Sequence, residues 1–128
     1  MIVVDTSALI TILLEEPRSE DCMSAMDSAD GILMSAGTLV EALIVSRRRG
    51  IGKRLSSLLS LFEITVAPVS ESFAVRVGDA YDQWGKGIHP AGLNMGDCYA
   101  YALSCAHDCP LLFVGADFAK TDVKSVLA

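Results

Sequence analysis

The hydrophobic pattern along the chain switches repeatedly between strand-like and helix-like spacing. Ile2-Val3-Val4 is a short β-branched run with no polar alternation, as in a strand buried on both faces. Asp5-Thr6-Ser7 interrupts it. Thr6 or Ser7 suits a helix N-cap, and Ala8 to Glu16 carries helical apolar spacing until Pro17 stops it. Arg18 to Ala29 reads as a second, polar-faced helix, and Gly31 starts a short strand, Ile32-Leu33-Met34. Gly37 or Thr38 opens a third helix that runs to Arg49 and ends at Gly50, and Lys53 to Leu61 is a fourth. Ile64 to Val69 is β-rich, with Pro68 marking a strand end or an edge position. Ser70 caps a fifth helix, with Glu71 in its first turn, that runs to about Trp84. The segment from Gly85 to Gly96 holds four glycines and a proline and reads as a loop. Asp97 to His107 is a sixth helix, ended by Cys109-Pro110, and Leu111 to Val114 is a fully apolar strand broken by Gly115. Strands alternating with helices imply crossover connections. The expected architecture is α/β, a three-layer fold with a mostly parallel central sheet flanked by helices, in one domain over residues 1–128.

Composition narrows the picture. Hydrophobic residues make up 52% of the 128 and mean hydropathy is +0.44, which excludes a disordered chain. Aromatics are only 6%, so the core must be aliphatic. A net charge of −6 excludes a protein that grips nucleic acid by bulk positive charge. No apolar run reaches the roughly 18–20 residues of a membrane span, and Met1 leads into Ile2-Val3-Val4 without the basic start of a secretory signal. The expected location is cytoplasmic. The four cysteines, Cys22, Cys98, Cys105 and Cys109, then read as reduced thiols serving as small buried hydrophobes, in preference to zinc held by Cys105, His107 and Cys109.

Most of the sixteen acids sit in polar segments, but four do not. Asp5 closes an apolar strand, Glu41 is the only charge between Asp30 and Arg47, Asp97 precedes a helix of Ala, Tyr, Leu and Cys, and Asp117 follows the Leu111 to Val114 strand. A carboxylate in apolar surroundings needs a partner or an opening to water, or its pKa rises until it is neutral. Each of the four could find its own cap or salt bridge. The topology favours a joint explanation, because ligands of open parallel sheets bind outside the carboxyl ends of the strands. Asp5 and Asp117 would project there, Asp97 opens a helix leading into one of those strands, and Glu41 lies on the helix after another. An all-oxygen set of four acids suits Mg²⁺ or Mn²⁺. One or two such ions can activate water and stabilise the leaving oxygen in phosphodiester cleavage.

These residues also carry a family resemblance. Met1-Ile-Val-Val-Asp5-Thr6-Ser7-Ala8-Leu9, Leu39-Val40-Glu41-Ala42, Gly92-Leu93-Asn94-Met95-Gly96-Asp97-Cys98 and Leu112-Phe113-Val114-Gly115-Ala116-Asp117-Phe118 resemble, in order, the four acidic motifs of PIN-domain ribonucleases. Gly85-Lys86-Gly87-Ile88-His89-Pro90-Ala91 brings the chain closer to the VapC toxins of bacterial VapBC toxin–antitoxin pairs. The resemblance spans almost the whole chain. It implies a PIN fold and a Mg²⁺- or Mn²⁺-dependent endoribonuclease whose metal-binding and catalytic quartet is Asp5, Glu41, Asp97 and Asp117. It also implies an RNA substrate such as tRNA or rRNA, a homodimer, and silencing by a cognate VapB-like antitoxin.

Other residues are candidates beside the quartet. Thr6 and Ser7 orient water at the metal or simply cap the helix, and Asn94 bonds near the site or shapes the loop. Asp122 rivals or assists Asp117. Arg47, Arg48, Arg49, Lys53 and Arg54 form the main basic cluster, either a phosphate-contacting ridge or a solvated helix end. Lys86 and His89 lie in the glycine-rich loop, where Lys86 is a candidate RNA contact. Two other readings compete with the nuclease. One is a catalytically silent partner-binding module. The other is a phosphatase with Asp5 as nucleophile, disfavoured because such enzymes carry a second Asp two positions on, where this chain has Ser7.

Overall fold

A computed structural model of the chain describes residues 1–127. Four strands lie within it: β1 (Ile2–Val4), β2 (Ile32–Ser35), β3 (Thr65–Ala67) and β4 (Leu111–Leu112). Six helices connect and follow them: α1 (Thr6–Leu13), α2 (Ser19–Ser28), α3 (Ala36–Arg48), α4 (Gly52–Leu61), α5 (Glu71–Trp84) and α6 (Met95–His107). The sheet order is β3-β2-β1-β4 and every pairing is parallel. Val3 of β1 stands opposite Leu33 on one side and Leu111 on the other.

Strands with no polar alternation are buried on both faces, and the core divides accordingly. Ile2, Val4, Ile32, Met34 and Leu112 point to a layer filled by Leu9, Ile12 and Leu13 of α1, Cys22 and Met26 of α2, Ala42 of α3, and Leu55 and Leu58 of α4. Val3, Leu33 and Leu111 point the other way, against Val77 and Ala80 of α5 and Cys98, Ala102 and Leu103 of α6. The sheet is thus sandwiched between helices, as the alternating pattern requires.

Several boundaries differ from the sequence reading. Asp5, not Thr6 or Ser7, caps α1, and Ser35, not Gly37 or Thr38, caps α3. The sixth helix begins two residues earlier, at Met95, because Asn94 caps it. β4 is two residues long, not four. The amide of Val114 donates to Ser7 Oγ at 3.1 Å and so leaves the ladder. β3 is shorter than the Ile64 to Val69 run and lies at the sheet's edge, in keeping with Pro68. Cys22 and Cys98 are buried, whereas Cys105 is exposed and Cys109 half-buried, so the buried-hydrophobe reading holds for only two of the four.

Candidate active site

The carboxyl ends of β1, β2 and β4 open to one edge of the sheet, and the chain leaves each strand into residues of the quartet or the helices bearing them. Asp5 follows β1 directly and is only 3% exposed. Its amide donates to Leu112 O at 3.0 Å, and its Oδ2 accepts the Ser7 amide at 3.1 Å and the Ser7 hydroxyl at 2.6 Å. Oδ1 is buried and has no hydrogen-bond partner. Ser7 therefore does not cap the helix. It clamps Asp5 and, through the Val114 amide, ties Asp5 to the segment leading to Asp117. The Thr6 hydroxyl donates instead to the carbonyl of Thr38 on α3, at 3.4 Å.

Asp97 sits in the first turn of α6 and is 6% exposed. A reciprocal capping box holds it. Its amide donates to Asn94 Oδ1 at 2.9 Å, and its Oδ2 accepts the Asn94 amide at 3.1 Å. Asn94 thus shapes both the loop end and the orientation of a quartet member. Burial raises the Asp5 carboxyl to about 6; the Ser7 hydrogen bonds oppose the rise and the Glu41 charge adds to it. Burial also raises Asp97 to about 7, against the Asn94 hydrogen bond and with the charges of Asp5, Asp117 and Glu41 adding to the rise. The other three acids thus all lie within electrostatic reach of Asp97.

Glu41 reaches the cleft from α3 and is half-buried. Its carboxylate lies over Gly96, where a Cβ would overlap both oxygens. Gly37 and Tyr99 make a second close contact between α3 and α6, since a Cβ on Gly37 would strike the Tyr99 ring. The sequence pointed to Gly37 only as a helix opener and to Gly96 only as part of the third motif, not to either as a point of close approach. The available signal was a glycine beside a functional acid at the start of a helix, where glycine is costly unless something approaches closely. Asp117 is exposed, in the turn after β4, next to the buried Phe118, whose ring packs 5.1 Å from that of Phe113.

The donors fit a hard divalent cation. Every quartet ligand atom is an oxygen, a buried oxygen of Asp5 is left without a partner, and the Glu41 carboxylate fills the space a side chain at 96 would take. Among the described residues, no three His, Cys, Asp or Glu are close enough to form a closed metal cage. The quartet is therefore convergent but open, and closing it requires side-chain movement, most easily of exposed Asp117.

The remaining candidates lie elsewhere. Asp122 accepts the Tyr101 hydroxyl at 2.6 Å, so it latches the C-terminal segment to α6. His89 Nδ1 accepts the Ala91 amide at 3.0 Å, and its ring meets Trp84 edge-on at 4.7 Å. Lys86 is exposed in the same loop, with its amide on Leu93 O at 3.0 Å. Arg47, Arg48, Arg49, Lys53 and Arg54 are all exposed where α3 passes into α4. No helix among the described residues is long and apolar enough to cross a membrane.

A PIN-domain family model matches residues 2–124, and the chain belongs to the PIN-domain family. Within that family it is of the VapC type. Ribonuclease VapC30 of Mycobacterium tuberculosis is 39% identical over 127 residues, covering 97% of each chain. The crystal structure of Mycobacterium tuberculosis VapC20, titled a sarcin–ricin loop cleaving toxin, superposes with a TM-score of 0.80 over 100% of both chains at 14% identity. A toxin–antitoxin complex from Klebsiella pneumoniae superposes with a TM-score of 0.71 at 19% identity, covering 95% of this chain and 93% of its own. The two structures share the fold.

Proposed function

We propose that this chain is the toxin of a type II toxin–antitoxin pair, a divalent-metal-dependent endoribonuclease that hydrolyses RNA phosphodiester bonds. The observation that supports the reading is an open convergence of four acids from separate parts of the chain toward one sheet edge: Asp5 and Asp97 are buried there, and the charges of Asp5, Glu41 and Asp117 all act on Asp97. Its relative VapC30, named a ribonuclease, supports the same chemistry.

Asp5, Glu41, Asp97 and Asp117 would hold Mg²⁺ or Mn²⁺, which supplies charge neutralisation at the scissile phosphate and an activated water. The protein's part is orientation. Ser7 occupies one oxygen of Asp5 and leaves buried Oδ1 without a protein partner. The Asn94 amide occupies one oxygen of Asp97, and Gly96 leaves room for the Glu41 carboxylate beside it. Asp117, exposed and on a turn, is free to swing toward the other three.

tRNA and rRNA are the substrates to try first. The partner is a VapB-like antitoxin, in line with the toxin–antitoxin complex sharing this fold. A homodimer completes the reading. Exposed Val40, Ile44 and Met95 offer apolar surface around a groove of about 300 Å³ between α3 and α6.

The test is cleavage of RNA by the chain purified free of antitoxin. Added Mn²⁺ should support cleavage, excess chelator should stop it, and Asp97→Asn should lower the rate about 10³-fold. Undiminished cleavage with chelator or in Asp97→Asn sinks the mechanism. No divalent-ion uptake by calorimetry would leave a silent partner-binding module.

A further inference from the structure

A protein of net charge −6 must attract a polyanion by local means, and the charge distribution shows where. Five of the ten Lys and Arg residues fall between positions 47 and 54, and no Asp or Glu occurs between Glu41 and Glu63. The five side chains are exposed. Among the described residues the ion pairs are Met1–Asp30, Arg18–Asp21 and Lys124–Asp108, so none of the five is neutralised by a carboxylate.

The turn between α3 and α4 is built as a recess. Gly50, at φ +73, adopts the left-handed conformation that lets the chain reverse, and the Arg47 stem crosses Gly52 so closely that a Cβ there would lie 3.2 Å from its Cγ. The cavity so formed, of about 500 Å³, has an apolar floor of Leu43 and Ile51 and is edged by Arg47, Lys53, Arg54 and Ser56. Ile51 caps α4 without a side-chain acceptor, leaving first-turn amides to an outside anion. Arg48 stands seven residues beyond Glu41 on α3. That is two turns, about 10 Å down the same face of the helix.

We infer that the α3–α4 turn is a phosphate subsite, formed by Arg47, Lys53 and Arg54, that anchors an RNA strand whose scissile phosphate lies in the acidic cleft. This inference rests on the nuclease reading and names the part of the surface that offsets the chain's negative charge. Cationic contacts to single-stranded RNA release counterions, at about 0.7 in the slope of log affinity against log salt for each phosphate engaged.

The experiment is fluorescence anisotropy of a labelled single-stranded RNA, titrated with the full-length Asp97→Asn chain across a salt series. The triple variant Arg47→Ala, Lys53→Ala, Arg54→Ala should weaken binding about tenfold or more and flatten the salt slope by about 2. A control triple, Arg18→Ala, Arg76→Ala, Lys124→Ala, removes the same charge elsewhere and should leave the slope nearly unchanged. The conservative pair Arg47→Lys, Arg54→Lys should retain both affinity and slope, which rules out misfolding as the cause of loss. Equal effects of the two triples, or an unchanged slope in the first, overturn the subsite while wild-type Mn²⁺-dependent cleavage still stands. An unchanged slope together with lost antitoxin capture assigns the turn to the protein partner instead. Absence of cleavage in the wild-type chain overturns the nuclease reading itself, and the subsite with it.

Discussion

The acidic cleft and the α3–α4 turn carry opposite charges, and they also carry them under opposite conditions. In the cleft, Asp5 and Asp97 are almost wholly buried, and each has one oxygen fixed by a local hydrogen bond. At the turn, five cations stand in water with no acid beside them. Burial makes charge expensive, so the cleft has to be held in shape by its neighbours. Exposure makes charge cheap, so the turn needs only sequence clustering. The cleft should therefore be sensitive to single atoms, and the turn only to the sum of its charges.

The most severe test of that contrast is Gly96→Ala. The added methyl displaces the Glu41 carboxylate without replacing any acid, and cleavage should fall about 10²-fold while the helical circular dichroism is kept. Any one alanine substitution among Arg47, Lys53 and Arg54 should cost far less. Near-wild-type cleavage by Gly96→Ala would show that the Glu41 position is loosely held.

A smaller effect is expected in the response of stability to pH. Asp5 and Asp97 rise from 3.8 to about 6 and about 7 in the fold, so the native chain holds protons that the unfolded chain has released. With chelator present, this contribution is complete below about pH 4 and is lost as pH climbs through about 6 to 7. The Tm should fall by roughly 5 °C between about pH 5 and pH 8. Asp97→Asn should flatten that decline, and the Arg47, Lys53, Arg54 triple should not. A Tm that climbs over the same interval contradicts the burial of these acids.

The smallest effect separates Asp122 from the cleft. Tyr101→Phe removes the hydroxyl that Asp122 accepts and should cost about 1 kcal/mol in urea unfolding. Divalent-ion affinity by calorimetry should not change. A marked loss of affinity would make Asp122 a helper of Asp117 at the metal.

The layers and strand positions were legible because β-branched, unalternating runs have few alternatives. The four acids were legible because charge in apolar sequence is conspicuous. The start of α5 at Ser70 was legible to the residue, but those of α1, α3 and α6 were not. Asp5, Thr6 and Ser7 are all competent caps, and Ser7 was drawn away by the Val114 amide, a partner 107 positions on. The roles of Gly37 and Gly96 depend on how α3 crosses α6, which periodicity within either helix does not encode. Asp122 lies farther from the strand end than Asp117, and its contact with the Tyr101 hydroxyl depends on a residue 21 positions away.

The capping box at the head of α6 gives Asp97 two employers. One of its oxygens already fastens the loop that Asn94 terminates, a loop closed on itself by the Leu93 amide on Trp84 O. Whatever pulls on that carboxylate from the cleft pulls on the loop as well. Filling the cleft and slowing amide hydrogen exchange across residues 85–94 should therefore behave as a single linked equilibrium, with the loop reporting on the occupant from outside it.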